Sequence, residues 1–75
     1  MPHFAIKLLE GKTEEQKQRL AVELVKAARQ VIGYDDDAFS VSREDFSLQE
    51  WRDQVYPNEI TGNKEILYKE PGYKM

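Results

Sequence analysis

No cysteine occurs anywhere in the chain, which excludes disulfide bridges and thiolate metal sites at once. Histidine is nearly as scarce: His3 stands alone, too little for a histidine-built metal centre. No apolar run approaches the roughly 18–20 residues of a membrane-spanning helix, and no signal-peptide core is present. An excess of positive charge is missing as well. The 11 Lys and Arg are scattered among 14 Asp and Glu, giving a net charge of −3, which argues against a nucleic-acid partner. These absences predict a cytoplasmic protein with no nucleic acid, membrane or metal in its work. Internal repeats, linkers and low-complexity segments are lacking too, so residues 1–75 read as a single domain. At this size a lone core without staples is marginal, and the usual remedy is association between chains.

What is present begins with Met1-Pro2-His3-Phe4. The initiator is normally removed when the second residue is small, and proline qualifies. Pro2 then becomes the N-terminus and carries a secondary amine, a base and nucleophile that no side chain duplicates. The plainer reading is a proline that stiffens a strand end. From there Phe4, Ile6 and Leu8 alternate with His3, Ala5, Lys7 and Leu9, the period of a strand over residues 3–9. Gly11 ends it.

Thr13-x-x-Gln16 is a capping box, and Glu14 and Glu15 put negative charge in a first helical turn, where the helix dipole favours it. A helix is predicted over 14–32. Leu20, Leu24, Ala27, Ala28 and Val31 form its apolar stripe, widened by Ala21, Val25 and Ile32. Lys17, Arg19, Glu23, Lys26 and Arg29 fall off the stripe and read as a solvated face. Gly33 stops the helix. Asp35-Asp36-Asp37 lacks the spacing of a calcium loop and reads as a solvated turn. A second strand is predicted over 38–45, with Phe39, Val41 and Arg43 on one face and Ser40, Ser42 and Glu44 on the other. Ser47-x-x-Glu50 is a second capping box, opening a short helix from Leu48 to about Val55 that carries Trp51. Pro57 interrupts that helix or starts another, Gly62 weakens the segment after it, and Pro71-Gly72 is a turn.

The resulting fold is α/β: a βαβ unit of two parallel strands joined by a long, right-handed crossover helix, then a C-terminal helical tail. Such a sheet is too small to stand alone, and the helix covers only one of its faces. Packing therefore predicts a homo-oligomer, a second copy of the same chain supplying the cover.

With these elements in place, Pro2, Ile6-x-Leu8, Glu10-Gly11-Lys12-Thr13-x-Glu15-Gln16-Lys17, Phe39-Ser40-Val41 and Trp51 resemble the small tautomerases of the 4-oxalocrotonate tautomerase group. The ending Leu67-Tyr68-x-x-Pro71-Gly72-Tyr73-x-Met75 is similar to a narrower branch, the PptA-type bacterial tautomerases. The resemblance implies a fold completed in dimers or hexamers, and a cofactor-independent isomerase whose catalytic residue is the Pro2 amine. As a general base that amine moves a proton between enol and keto forms. For this it must be neutral, and an apolar pocket or nearby cations would hold its pKa down. The family's two substrate-holding arginines fall on Lys12, which keeps charge without the planar fork, and on Ser40, which has none. Its pocket aromatic falls on Trp51. Arg43 is close to Ser40 in sequence but, by alternation, faces the other way, and His3 reads as structural or exposed. The loss of the second arginine favours enols of small monocarboxylic 2-keto acids such as phenylenolpyruvate, and the tail favours a dimer over a hexamer. Two other readings stay open: a protonated Pro2 acting as a general acid in hydration or dehalogenation of an unsaturated acid, and a non-catalytic oligomeric scaffold.

Overall fold

The first strand, β1 (His3–Leu9), follows the alternation of its sequence, with Phe4, Ile6 and Leu8 half-buried. A computed structural model describes residues 1–75, which divide into two compact units, Met1–Asp45 and Phe46–Met75. In the first unit β1 leads into α1 (Glu14–Ile32) and then β2 (Ser40–Phe46), whose strand lies parallel to β1 in a two-stranded sheet. The capping box forms as its spacing predicts. Gln16 N–H donates to Thr13 Oγ1 at 3.1 Å, and Thr13 N–H donates to Gln16 Oε1 at 3.0 Å. At the other end Gly33 takes the left-handed conformation (φ 82°), and its N–H donates to the Arg29 carbonyl at 3.0 Å.

Helix α1 lies against the sheet through Ala21 and Lys17, which share a small cavity of about 130 Å³ with Ile6 and Val41. At the edge of this layer Phe4 stacks on Phe39, ring centroids 6.2 Å apart, and Tyr34 meets Phe39 edge-on. The predicted apolar stripe is only partly covered. Ala21, Leu24, Val25 and Ala28 are half-buried, whereas Leu20, Ala27 and Ile32 are exposed and Val31 is 83% exposed. No residue of the 19-residue helix is fully buried, because two strands are narrower than the stripe they face.

Lys17 departs from the solvated face predicted for it. Its side chain is 11% exposed, and its Nζ donates to Asp45 Oδ2 at 2.7 Å and lies 3.2 Å from Glu14. Arg43 joins the group, 3.3 Å from Glu14 and 3.9 Å from Asp45. The partner that draws Lys17 inward is 28 residues away, so helical periodicity alone misplaces it. The hydrogen bond from Lys17 holds the Asp45 carboxyl below its ordinary 3.8, and the same bond raises Lys17 above 10.5. A carboxylate depressed in the folded state contributes stability above its ordinary value and loses it as the pH falls through the folded value. A raised lysine contributes below its ordinary value and loses it as the pH rises through the folded one. The thermal midpoint is therefore expected to sag below about pH 4 and above about pH 10.5. Asp45→Asn should flatten part of both limbs, and a midpoint profile unchanged by that substitution would remove the pair from the account.

The second strand begins two residues later than its sequence predicts. Asp36–Ala38 wind into one 3₁₀ turn instead, with Ala38 N–H donating to the Asp35 carbonyl and Phe39 N–H to that of Asp36.

The second unit opens on the predicted Ser47 capping box, closed by Glu50 N–H to Ser47 Oγ at 3.1 Å and Ser47 N–H to Glu50 Oε1 at 2.8 Å. The helix to Val55 is corrected. Only α2 (Leu48–Glu50) has α winding, and Trp51–Ile60 continue in the wider π winding with Pro57 inside. Pro57 has no N–H, and in an α-helix its ring would press on the carbonyl four residues back, so α winding carries a penalty there. A 3₁₀ segment, Thr61–Ile66, follows. Gly62 serves the bend between them: a Cβ there would sit 2.5 Å from the Pro57 carbonyl oxygen, closer than any side chain tolerates. Phe46 and Val55, 8% and 3% exposed, are the buried core of the chain. No helix is long and apolar enough to cross a membrane.

Candidate functional site

Pro2 is half-buried just ahead of β1, and its carbonyl accepts from the Ser40 backbone N–H at 3.3 Å. That bond starts the pairing of the strands and sets Pro2 beside Ser40, about one strand spacing (roughly 5 Å) away. Met1 precedes it and is 99% exposed. While Met1 is attached, the Pro2 nitrogen is an amide without basicity; its loss leaves the secondary amine at this same position.

Ser40 does not stand alone. Its Oγ lies 2.6 Å from His3 Nδ1, and Ser42 Oγ lies 3.3 Å from His3 Nε2. The imidazole thus spans both serines, on the sheet face turned away from α1. Arg43 points the other way, as alternation predicts, and is engaged with Glu14 and Asp45. It offers no charge to the Ser40 side.

Lys12 follows β1, exposed in the turn between Gly11 and the Thr13 cap. A seven-residue strand separates it from Pro2, a span of roughly 20 Å. Within one chain Pro2 and Ser40 come together, and Lys12 does not join them. Trp51 belongs to the second unit. There its Nε1–H donates to the Tyr73 hydroxyl at 3.1 Å, its ring meets Phe46 edge-on at 6.2 Å, and Tyr73 in turn tilts against Tyr56. The Pro71-Gly72-Tyr73 ending therefore holds the indole through a named hydrogen bond.

His3, read from the sequence as structural or exposed, is exposed, and what that reading did not foresee is its bridge between Ser40 and Ser42. The signal was available: alternation puts His3 on one face of β1 and Ser40 and Ser42 on one face of β2, and parallel pairing can bring those faces together. A depression of about 720 Å³ lies elsewhere. It runs along the flank of α1 from Ala21 to Gly33 and over Tyr34–Asp36, and holds none of Pro2, Lys12 and Ser40.

A family model described as "Tautomerase enzyme" matches residues 2–52, with Pro2 as its first matched residue. A probable tautomerase of Xylella fastidiosa is 42% identical over 73 residues, 97% of this chain and 89% of that protein. Tautomerase PptA of Pectobacterium carotovorum is 32% identical over 74 residues, 97% of each chain. A probable tautomerase of Bacillus cereus is 38% identical over 47 residues, 63% of this chain and 77% of the other.

Proposed function

The chain belongs to the tautomerase family, and on that premise we propose that it interconverts enol and keto forms of small 2-keto acids with the Pro2 amine as general base. The observation that carries the reading is the hydrogen bond from Ser40 N–H to the Pro2 carbonyl, which fixes the future N-terminus at a defined point of the sheet. The amine takes the enol proton, and the resulting ammonium returns a proton to the neighbouring carbon as the carbonyl forms. Atoms balance without an oxidant, a reductant or a cofactor. The exposure of Met1 fits its removal, which the mechanism requires.

Substrate preference follows from charge. Ser40 and the side chains bonded around it, His3 and Ser42, carry no guanidinium to hold a second carboxylate by a planar fork. Monocarboxylic enols such as phenylenolpyruvate suit the site better than dicarboxylates, with Lys12 as the cation for the one carboxylate and Trp51 as the aromatic wall.

Since Lys12 lies a strand length from its own Pro2, it serves a site at the Pro2 of another copy. Homodimerisation is thus part of the reading. It is supported by the uncovered apolar positions of α1, Val22, Val31 and Ile32 among them, which a second chain would shelter. A cytoplasmic setting completes it. The test is ketonisation of phenylenolpyruvate against a dicarboxylic dienol, together with the molar mass by light scattering. We expect the monocarboxylate to turn over faster and the mass to correspond to two chains. Faster turnover of the dicarboxylate would overturn the substrate assignment, and a monomer would overturn the shared site.

A further inference from the structure

The histidine between two serines has two ways to make its contacts while neutral, and they differ in what they leave over. If Nδ1 carries the proton, Nδ1–H donates to Ser40 Oγ and Nε2 accepts from the Ser42 hydroxyl. The hydrogen of the Ser40 hydroxyl is then free. If Nε2 carries it, Ser40 spends its hydrogen on Nδ1 and the free hydroxyl is that of Ser42, two residues further along β2. Only Ser40 is bonded through its backbone to Pro2, so only the first arrangement leaves the free hydroxyl on the residue paired with Pro2. The 2.6 Å separation at Nδ1 marks this as the shorter contact of the two.

Resting on the tautomerase reading above, we infer that His3 and Ser42 are positioning residues that deliver the Ser40 hydroxyl hydrogen to the C2 oxygen of the substrate. As Pro2 removes the enol proton, negative charge develops on that oxygen. A hydroxyl already accepting from an imidazole N–H is a stronger donor, because successive hydrogen bonds polarise one another. A donor aimed at developing charge lowers the barrier more than it lowers the energy of the bound enol. The proton stays on Ser40 throughout; Pro2 alone transfers one. This gives the lone histidine of the chain a task. Within one chain His3, Ser40 and Ser42 are all exposed.

The experiment combines kinetics with imidazole ¹⁵N NMR on protein shown by mass to begin at Pro2. Ser40→Ala is expected to lower kcat for phenylenolpyruvate by about 10- to 100-fold, and His3→Ala by about 10-fold, with KM changed less than about threefold. The double variant should be no slower than Ser40→Ala, since His3 acts only through Ser40. His3→Asn, whose amide N–H can replace Nδ1–H, should recover part of the loss. Thermal midpoints should stay within about 2 °C of wild type. The spectrum of the neutral ring should show the proton on Nδ1. A proton on Nε2, an effect on KM alone, or multiplicative losses in the double variant would each overturn the relay. If Pro2→Ala abolishes turnover while the His3 variants are normal, the relay is wrong and the tautomerase reading stands. If the wild type turns over no enol, both fall.

Discussion

A dipeptide fused ahead of Pro2, converting its amine to an amide, is expected to remove enol ketonisation to the level of the uncatalysed reaction. Pro2→Ala should lower kcat/KM by about 10²–10⁴-fold, the range that a positioned general base contributes. The two losses differ for a chemical reason. Alanine still exposes an N-terminal amine once Met1 is removed, but a primary one whose rotation is not fixed by a ring. The fused chain has no basic nitrogen there at all. The backbone carbonyl of residue 2 can still accept from Ser40 N–H in both variants, so strand pairing and folding should survive. KM should change little, because the amine acts in the transition state rather than in holding the carboxylate. Intact mass must accompany each assay, since retained Met1 would mimic the fusion in the wild type. Full activity in a fusion that mass shows to be intact would eliminate the amine as the base.

Where the sequence could be read, the reason was locality. The bounds of β1 and α1 follow from alternation within seven residues and from a capping box spanning four, and both are observed as read. The second capping box is equally local and equally well read. Errors appear where distant residues decide. Lys17 is drawn under the sheet edge by Asp45, and no period within α1 contains that information. The turn at Asp36–Ala38 displaces the start of β2 because hydrophobic alternation does not register a single 3₁₀ turn. Beyond Glu50 the winding depends on how the chain accommodates Pro57 and on the close approach of Gly62 to its carbonyl, a matter of three dimensions. For the candidate site, Pro2 stood out from the residues alone, through the secondary amine that loss of Met1 exposes, whereas Lys12, Ser40 and Trp51 entered only through resemblance to a family. That Pro2 meets Ser40 is a consequence of strand register. That Lys12 lies a strand length from Pro2 follows from the straight run of β1 between them, a separation that family resemblance does not express.

Phe46→Ala should destabilise the second unit by about 3–5 kcal/mol, the usual cost of truncating a buried phenylalanine. Two residues of the whole chain are buried, so the loss falls where there is least to spare. The ring meets Trp51 edge-on, centroids 6.2 Å apart and planes at 80°, an arrangement that adds about 0.5–1.5 kcal/mol beyond burial. Alanine forfeits both contributions and leaves a void against the indole. A single core of this size rarely supplies more than about 3–5 kcal/mol, so the loss takes a large share of the stability. Phe46→Leu keeps most of the volume and should cost less than half as much. Trp51 is the only tryptophan, so its fluorescence reports directly on this contact during denaturant unfolding at fixed protein concentration. The alanine variant is expected to show a red-shifted native spectrum and a midpoint far below wild type, with the leucine variant between them. Coincident midpoints for all three proteins would mean that the Phe46–Trp51 contact does not hold the unit together. The indole would then be held chiefly by its hydrogen bond to Tyr73, and Tyr73→Phe would become the substitution that releases it.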